Sequence, residues 1–326
     1  MGVTRQYSRV GRFPGVGRGP VLAGAVAALA LAAAGCSSSS GGGGTADAAS
    51  STTVVSAVGA ENEYANVLGQ IGGRYVHVSA VLDNPNTDPH TFEASPKLAQ
   101  EVSSAQLIVQ NGVGYDSWMN KIEAASPSPK RKVITVQRVL GLPDSTPNPH
   151  LWYDPATMPA VAKVMAADLS ALQPAHQAYF QARLKAFNRS LAPWLTAIAQ
   201  FKAKYPGTTA ATTEPVADYL LTAMGITNLT PFRFQAGIMN GVDPAPQDIA
   251  LENSLFAQHK VKLFAYNQQV TDALTTSIRD NAIKAGVPVV GVYETMPAGY
   301  DYQSWMLAEV NAIGRAVASK ISTQKL

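Results

Sequence analysis

The sequence predicts an α/β protein of two halves, each a parallel sheet flanked by helices, joined by a long backbone helix. Three observations predict it. Short β-branched runs alternate with amphipathic stretches from Thr53 to Val139, the same alternation restarts at Gly207, and the zone between them is almost entirely helical. At 326 residues, 46% hydrophobic and 14% charged, the chain is too long for one typical core and too apolar to be disordered.

In chain order, the first 36 residues read as an address. Four arginines (Arg5, Arg9, Arg12, Arg18) precede an apolar run from Val21 to Ala34, the length of a signal-peptide core and short for a bilayer span. The run ends in Ala33-Ala34-Gly35-Cys36. Small residues before the only cysteine resemble the lipobox of bacterial lipoproteins, which implies lipidation of Cys36 and cleavage before it. Residues 37–52, SSSSGGGGTADAASST, are a flexible tether with a reach of about 20–25 Å. One cysteine excludes a disulfide scaffold and any cysteine-rich metal site. The net charge of +3 resides in the leader; the remainder has 21 basic and 22 acidic residues. No surplus is left to neutralise a phosphate backbone, so nucleic acid is not an expected partner.

The first half reads as strands at 53–58, 75–82, 106–112 and 132–139, with helices at 61–73, 96–105 and 115–125. Gly72-Gly73 ends the first helix. The stretch 175–205 carries Tyr179, Phe180, Leu184, Phe187, Leu191, Trp194, Leu195 and Ile198 at helical spacing. Unbroken, it would be about 45 Å long; Pro193 removes one backbone donor and should kink it. The second half reads as strands at 207–213, 226–232, 261–267 and 287–293, with helices at 216–225, 245–260, 271–286 and 302–319. These readings divide the chain into a leader (1–35), the lipidated cysteine and tether (36–52), a first lobe (53–155), linking helices (156–205) and a second lobe (206–326).

Parallel sheets gather ligands on loops beyond the carboxyl ends of their strands. DNPNTDPHTFEASP (83–96) presents His90 behind Pro89, and NPHLWYDP (148–155) presents His150 behind Pro149 with Trp152 and Tyr153 as apolar shielding. A proline-stiffened loop used twice to present one imidazole points to a site. Glu214 ends the strand GTTAATT, although a carboxylate there could instead serve a helix amino terminus. Glu294 ends VPVVGVY and is the only acid between Asp280 and Asp301. Asp301 competes for its role but reads more easily as an N-cap. His77, inside a strand, reads as packed, and His176 and His259 as helix-end residues.

The segments DPHTFEASP (88–96), NPHLWYDP (148–155), TTEPVADYLLTAMG (212–225) and YDYQSWMLAEVN (300–311) resemble the solute-binding lipoproteins of bacterial zinc and manganese ABC transporters. The resemblance covers about 52–322. It implies two α/β lobes joined by one long helix, a metal in the cleft, and delivery to a membrane permease. It implies His90, His150, Glu214 and Glu294 as ligands; many members have Asp at the last position. Two neutral imidazoles and two carboxylates balance a divalent cation, and four protein ligands leave no open position for a reactive water. Imidazole must be deprotonated to bind, so affinity should fall as pH drops through the histidine range. Zinc specialists of the family often use three histidines and a histidine-rich loop, whereas residues 112–149 contain no histidine; Zn2+ and Mn2+ both stay open as cargo.

The expected molecule is therefore an extracytoplasmic monomer, held to the membrane only through its lipid anchor and partnered by an ABC permease. An exported metallohydrolase lacks support, because neither H-E-x-x-H nor G-x-S-x-G occurs. A binder of an organic ligand such as a siderophore or haem would use Arg233 and Phe234 in PFRFQAG (231–237).

Overall fold

The computed structural model describes residues 54–84, 92 and 95–326. The expected signal segment, the tether, Cys36 and His90 all lie outside the described residues. Strands β1 (Val55–Glu61), β2 (Val76–Leu82), β3 (Leu107–Gln110) and β4 (Lys132–Thr135) form one sheet, all parallel, in the order β2-β1-β3-β4. Strands β5 (Thr209–Thr212), β6 (Thr227–Asn228), β7 (Leu263–Asn267) and β8 (Val289–Val292) form a second, in the order β6-β5-β7-β8. The two orders are equivalent. In each, the chain leaves its first strand toward one edge and returns on the other side, so a crevice opens between β1 and β3 and another between β5 and β7.

Helices cover both faces of each sheet, which is why the strands read as apolar runs. Alternate residues of β1 serve different cores. Val55 and Ala57 join the large central cluster, and Val58 and Ala60 join a smaller outer one with Ile108 and Met119. In β7, Leu263 and Ala265 face the central cluster while Phe264 and Tyr266 face an outer one with Phe256 and Ile278. The central cluster is continuous through both halves, from Val109 through Trp152 and Trp194 to Val292 and Trp305. That continuity makes residues 51–326 one compact unit.

In the helical zone, α5 (Thr157–Leu172) is followed by α6 (Gln177–Ser190) and α7 (Ala192–Lys204). Only Leu191 separates the last two, and it keeps near-helical angles (φ −75°, ψ −14°). The helix is interrupted there, two residues before Pro193, which cannot donate to the preceding turn. Phe180, Phe187, Trp194 and Ile198 face the central core, as the spacing predicts. Packed against α7 is the closing helix of the second half, Tyr302–Ser319.

Around the second sheet lie α8 (Asp218–Ala223), α9 (Phe232–Met239), α10 (Pro246–Ala257), α11 (Ala273–Lys284) and α12 (Tyr302–Ser319). Around the first are α1 (Asn62–Gly72), α2 (Pro96–Ser104), α3 (Ser117–Ala125) and a single turn, α4 (Val136–Val139). Three expectations change. The strand read over 132–139 stops at Thr135, because pairing with β3 ends at Gln110 and the chain then turns into α4. The strand read over 226–232 shrinks to Thr227–Asn228 and gives way to α9. His77 is exposed on the edge strand β2, not packed.

Candidate metal centre

His150 is fully buried, and its ring orientation is set locally. Asn148 Oδ1 lies 2.8 Å from Nδ1 and also accepts the His150 backbone N–H at 3.0 Å. The Asn148 amide nitrogen donates to Pro215 O at 2.8 Å, which fixes which end of the amide meets the ring. Nδ1 is therefore the donor to Asn148, and Nε2 faces Glu294. Trp152 and Tyr115 pack edge-on against the ring, with centroids at 5.4 and 5.8 Å. The shielding expected of Trp152 and Tyr153 is present, since both are fully buried.

Against Nε2, Glu294 follows β8 and is equally buried. Its Oε2 lies 3.1 Å from His150 Nε2 and accepts the Tyr115 hydroxyl at 3.1 Å. Its Oε1 accepts from Asn267 Nδ2 at 2.7 Å. The same nitrogen donates to Glu214 Oε1 at 2.9 Å. Gln269 Oε1 receives the backbone N–H groups of Glu294 and Thr295. Glu214 lies two residues beyond the end of β5 and four before α8 begins, so it is not a first-turn helix residue. Asp301 is the N-cap of α12, its Oδ1 accepting Ser304 N–H at 2.9 Å, and it takes no part in the cleft.

The structure thus brings together His150, Glu214 and Glu294, with Asn267 as the link between the two carboxylates. Among the described residues, no group of three or more His, Cys, Asp or Glu side chains is placed to hold a metal ion. The loop that carries His90 is outside them. His77, His176 and His259 stand elsewhere: His77 is exposed, His176 stacks on Tyr75 at 3.7 Å, and His259 has a left-handed backbone (φ +52°) at the end of α10.

Behind the site sits a layer of acids that sequence reasoning missed. Glu61 ends β1, Glu63 lies in the first turn of α1, and both are fully buried with no hydrogen-bond partner on either side-chain oxygen. Burial first, then Asp116, raises Glu61 well above the ordinary carboxylate range; burial foremost, with Glu294 adding to it, does the same for Glu63. Asp116 is pushed up to about 6 by burial, although the backbone N–H groups of Gly112 and Asn111 oppose this. Burial and then Glu294 raise the Tyr115 hydroxyl, so it remains a donor. Tyr115, Asn148, Asn267 and Gln269 were also missed. Asn267 had a usable signal: it is the polar end of an apolar strand, as Glu294 nearly is.

The sequence model of the zinc-uptake complex component A periplasmic family matches residues 58–316. Among curated proteins, the manganese-binding lipoprotein MntA of Bacillus subtilis is 25% identical over 142 residues, 40% of this chain and 44% of that one. A putative metal-binding protein of Thermotoga maritima is 29% identical over 94 residues, 29% of this chain and 33% of its own length. The chain thus matches less than half the length of these relatives. The periplasmic zinc-binding protein TroA of Treponema pallidum superposes with a TM-score of 0.68 at 19% identity, covering 81% of this chain and 98% of that one. The Mn2+ complex of FpvC from Pseudomonas aeruginosa gives 0.68 at 19%, covering 82% and 100%. Both likenesses concern the fold.

Proposed function

Because the chain belongs to the periplasmic zinc-uptake complex component A family, we propose that it captures one Zn2+ or Mn2+ in the cleft and delivers it to the permease of an ABC importer. His90 and His150 from the first half and Glu214 and Glu294 from the second are the proposed ligands. The observation that carries this is the approach of His150 Nε2 to Glu294 Oε2, 3.1 Å. Two atoms each about 2.0 Å from a tetrahedral cation stand about 3.3 Å apart. With Nδ1 committed to Asn148, the Nε2 position has only a proton or a cation to offer the carboxylate.

The ligands come from loops on both sheets, so the cation couples its own binding to the packing of the two halves. Release requires His150 to part from Glu294. The continuous apolar core makes wide hinge opening costly, so local movement around His150 is the proposed route. Four protein donors saturate a tetrahedral ion, which supports a carrier and not a hydrolase. Lipidation at Cys36, attachment to the membrane through that anchor alone and a monomeric state complete the proposal. Binding of an organic ligand through Arg233 and Phe234 is not favoured: Phe234 is buried in the core, and Arg233 is paired with Asp248.

Equilibrium dialysis of the purified protein, with elemental analysis, should find about one Zn2+ or Mn2+ per chain. His150→Ala should weaken binding at least about 100-fold. Metal content at background in the parent protein would end the proposal.

A further inference from the structure

We propose that Asn267 is a specificity-determining residue, restricting the two carboxylates to one ligating oxygen each and so favouring Zn2+ over Mn2+. This rests on the metal-capture reading above. Asn267 ends β7 and is fully buried. An amide nitrogen has two hydrogens, and both are used here, one on Glu214 Oε1 at 2.9 Å and one on Glu294 Oε1 at 2.7 Å. The amide cannot turn over. Its Oδ1 accepts the Gln269 backbone N–H at 3.0 Å, and its own backbone N–H is held by Thr213 Oγ1 at 3.0 Å. A flipped amide would also set oxygen against two carboxylates.

The consequence is an orientation. Glu294 turns Oε1 to the amide and Oε2 to His150, and the Gln269 grip on its backbone N–H keeps it there. Bidentate chelation needs both oxygens of a carboxylate to face the ion together. An N–H on Oε1 of each opposes that approach. What the described residues then offer is one oxygen from each glutamate and Nε2 of His150. Zn2+ accepts four such donors in a tetrahedron. Mn2+ prefers an oxygen-rich, six-coordinate shell and gains most from bidentate carboxylates. Zinc outbinds manganese at most sites by intrinsic affinity, so the informative quantity is the change in the Zn/Mn affinity ratio when the amide is removed.

Asn267→Leu keeps the branched shape and deletes both donors; Asn267→Ala deletes them with room for water. Binding of Zn2+ alone and Mn2+ alone, followed by loading from an equimolar mixture, should show the ratio shifting toward manganese by at least about tenfold in either variant. Circular dichroism reports whether the variants fold. The parent protein gives an independent reading through X-ray absorption of its zinc form, where a single shell of four N/O atoms at about 2.0 Å is expected. An unchanged ratio in a folded variant overturns the inference, as does a zinc shell of five or more atoms in the parent; if neither variant folds, the absorption spectrum decides alone. Failure of the parent to bind either metal overturns the capture reading itself.

Discussion

Replacing Glu309 with glutamine should stabilise the protein at neutral pH and have no such effect near pH 4.5. Glu309 lies on α12, fully buried, and its Oε1 receives Trp305 Nε1 at 3.2 Å and the Tyr153 hydroxyl at 3.4 Å. Its Oε2 has no partner. Burial lifts the carboxyl to about 8, against an ordinary value of 4.5, and the two donors only partly offset this. Below pH 4.5 the folded and unfolded chains both hold the proton. Between 4.5 and 8 the unfolded chain loses it and the folded chain does not, so stability falls as pH rises, by about 1.4 kcal/mol per pH unit. The loss reaches about 3 kcal/mol at pH 7 and about 5 kcal/mol above pH 8, where it levels off.

Glutamine keeps the acceptor for Trp305 and Tyr153 and never ionises. Its NH2 lacks an acceptor where Oε2 stood, at a cost of about 1–3 kcal/mol that does not vary with pH. The protonated acid carries a similar orphan, so the offset is small. Glu252 is also pushed up to about 8 by burial and adds a slope of the same sign to both proteins, so only their difference isolates Glu309. Urea unfolding in the presence of a chelator, followed by tryptophan fluorescence at pH 5, 6, 7 and 8, measures it. Parallel pH profiles for parent and variant would refute the reasoning.

Two further substitutions probe how the halves are joined and how the site's floor is built. Asn62 donates to Met296 O and accepts from Met296 N–H, both at 2.9 Å, a two-point clasp from the start of α1 to the loop after β8. Asn62→Ala should cost about 2–3 kcal/mol in urea unfolding, two hydrogen bonds at about 1 kcal/mol each plus the orphaned Met296 groups; a loss under about 0.5 kcal/mol would mean that water replaces the clasp. Gly59 lies where β1 passes under α1, and a Cβ there would run into the Ala65 backbone. Gly59→Ala should cost at least about 2 kcal/mol and lower metal affinity by displacing the strand end that carries Glu61; unaltered stability by thermal unfolding would show that the helix can move away freely.

Much of the fold was legible because its signals are local. Asp301 and Ser304 form a reciprocal cap, so α12 begins and ends where the sequence places it. The β-branched runs announced every strand, but strand length depends on a partner. Nothing within KVITVQRV says that β3 stops pairing at Gln110, so four residues of helix were read as strand. FRFQAGIM is two turns of helix with only Phe234 and Ile238 facing the outer core of the second sheet. That is too short a repeat to separate from an extended run, and it left Arg233 and Phe234 looking like a ligand pair.

The site divides along the same line. His150 and Glu294 could be found because each stands at a strand or proline boundary, where a charged or imidazole group has no local structural duty. Asn267 shows in the sequence only as the polar end of an apolar strand, because its role exists only when Glu214, 53 residues earlier, and Glu294, 27 residues later, converge on one nitrogen. An amide at a strand end ordinarily reads as a turn former. Glu61 and Glu63 escaped for the opposite reason: acids at a helix start have a ready local explanation in the helix dipole, and only burial with unpartnered oxygens removes it. The residues that carry charge toward the proposed cation are thus readable one at a time. Those that orient it are defined by contacts between distant segments, and the selectivity of such a site resides in the second group.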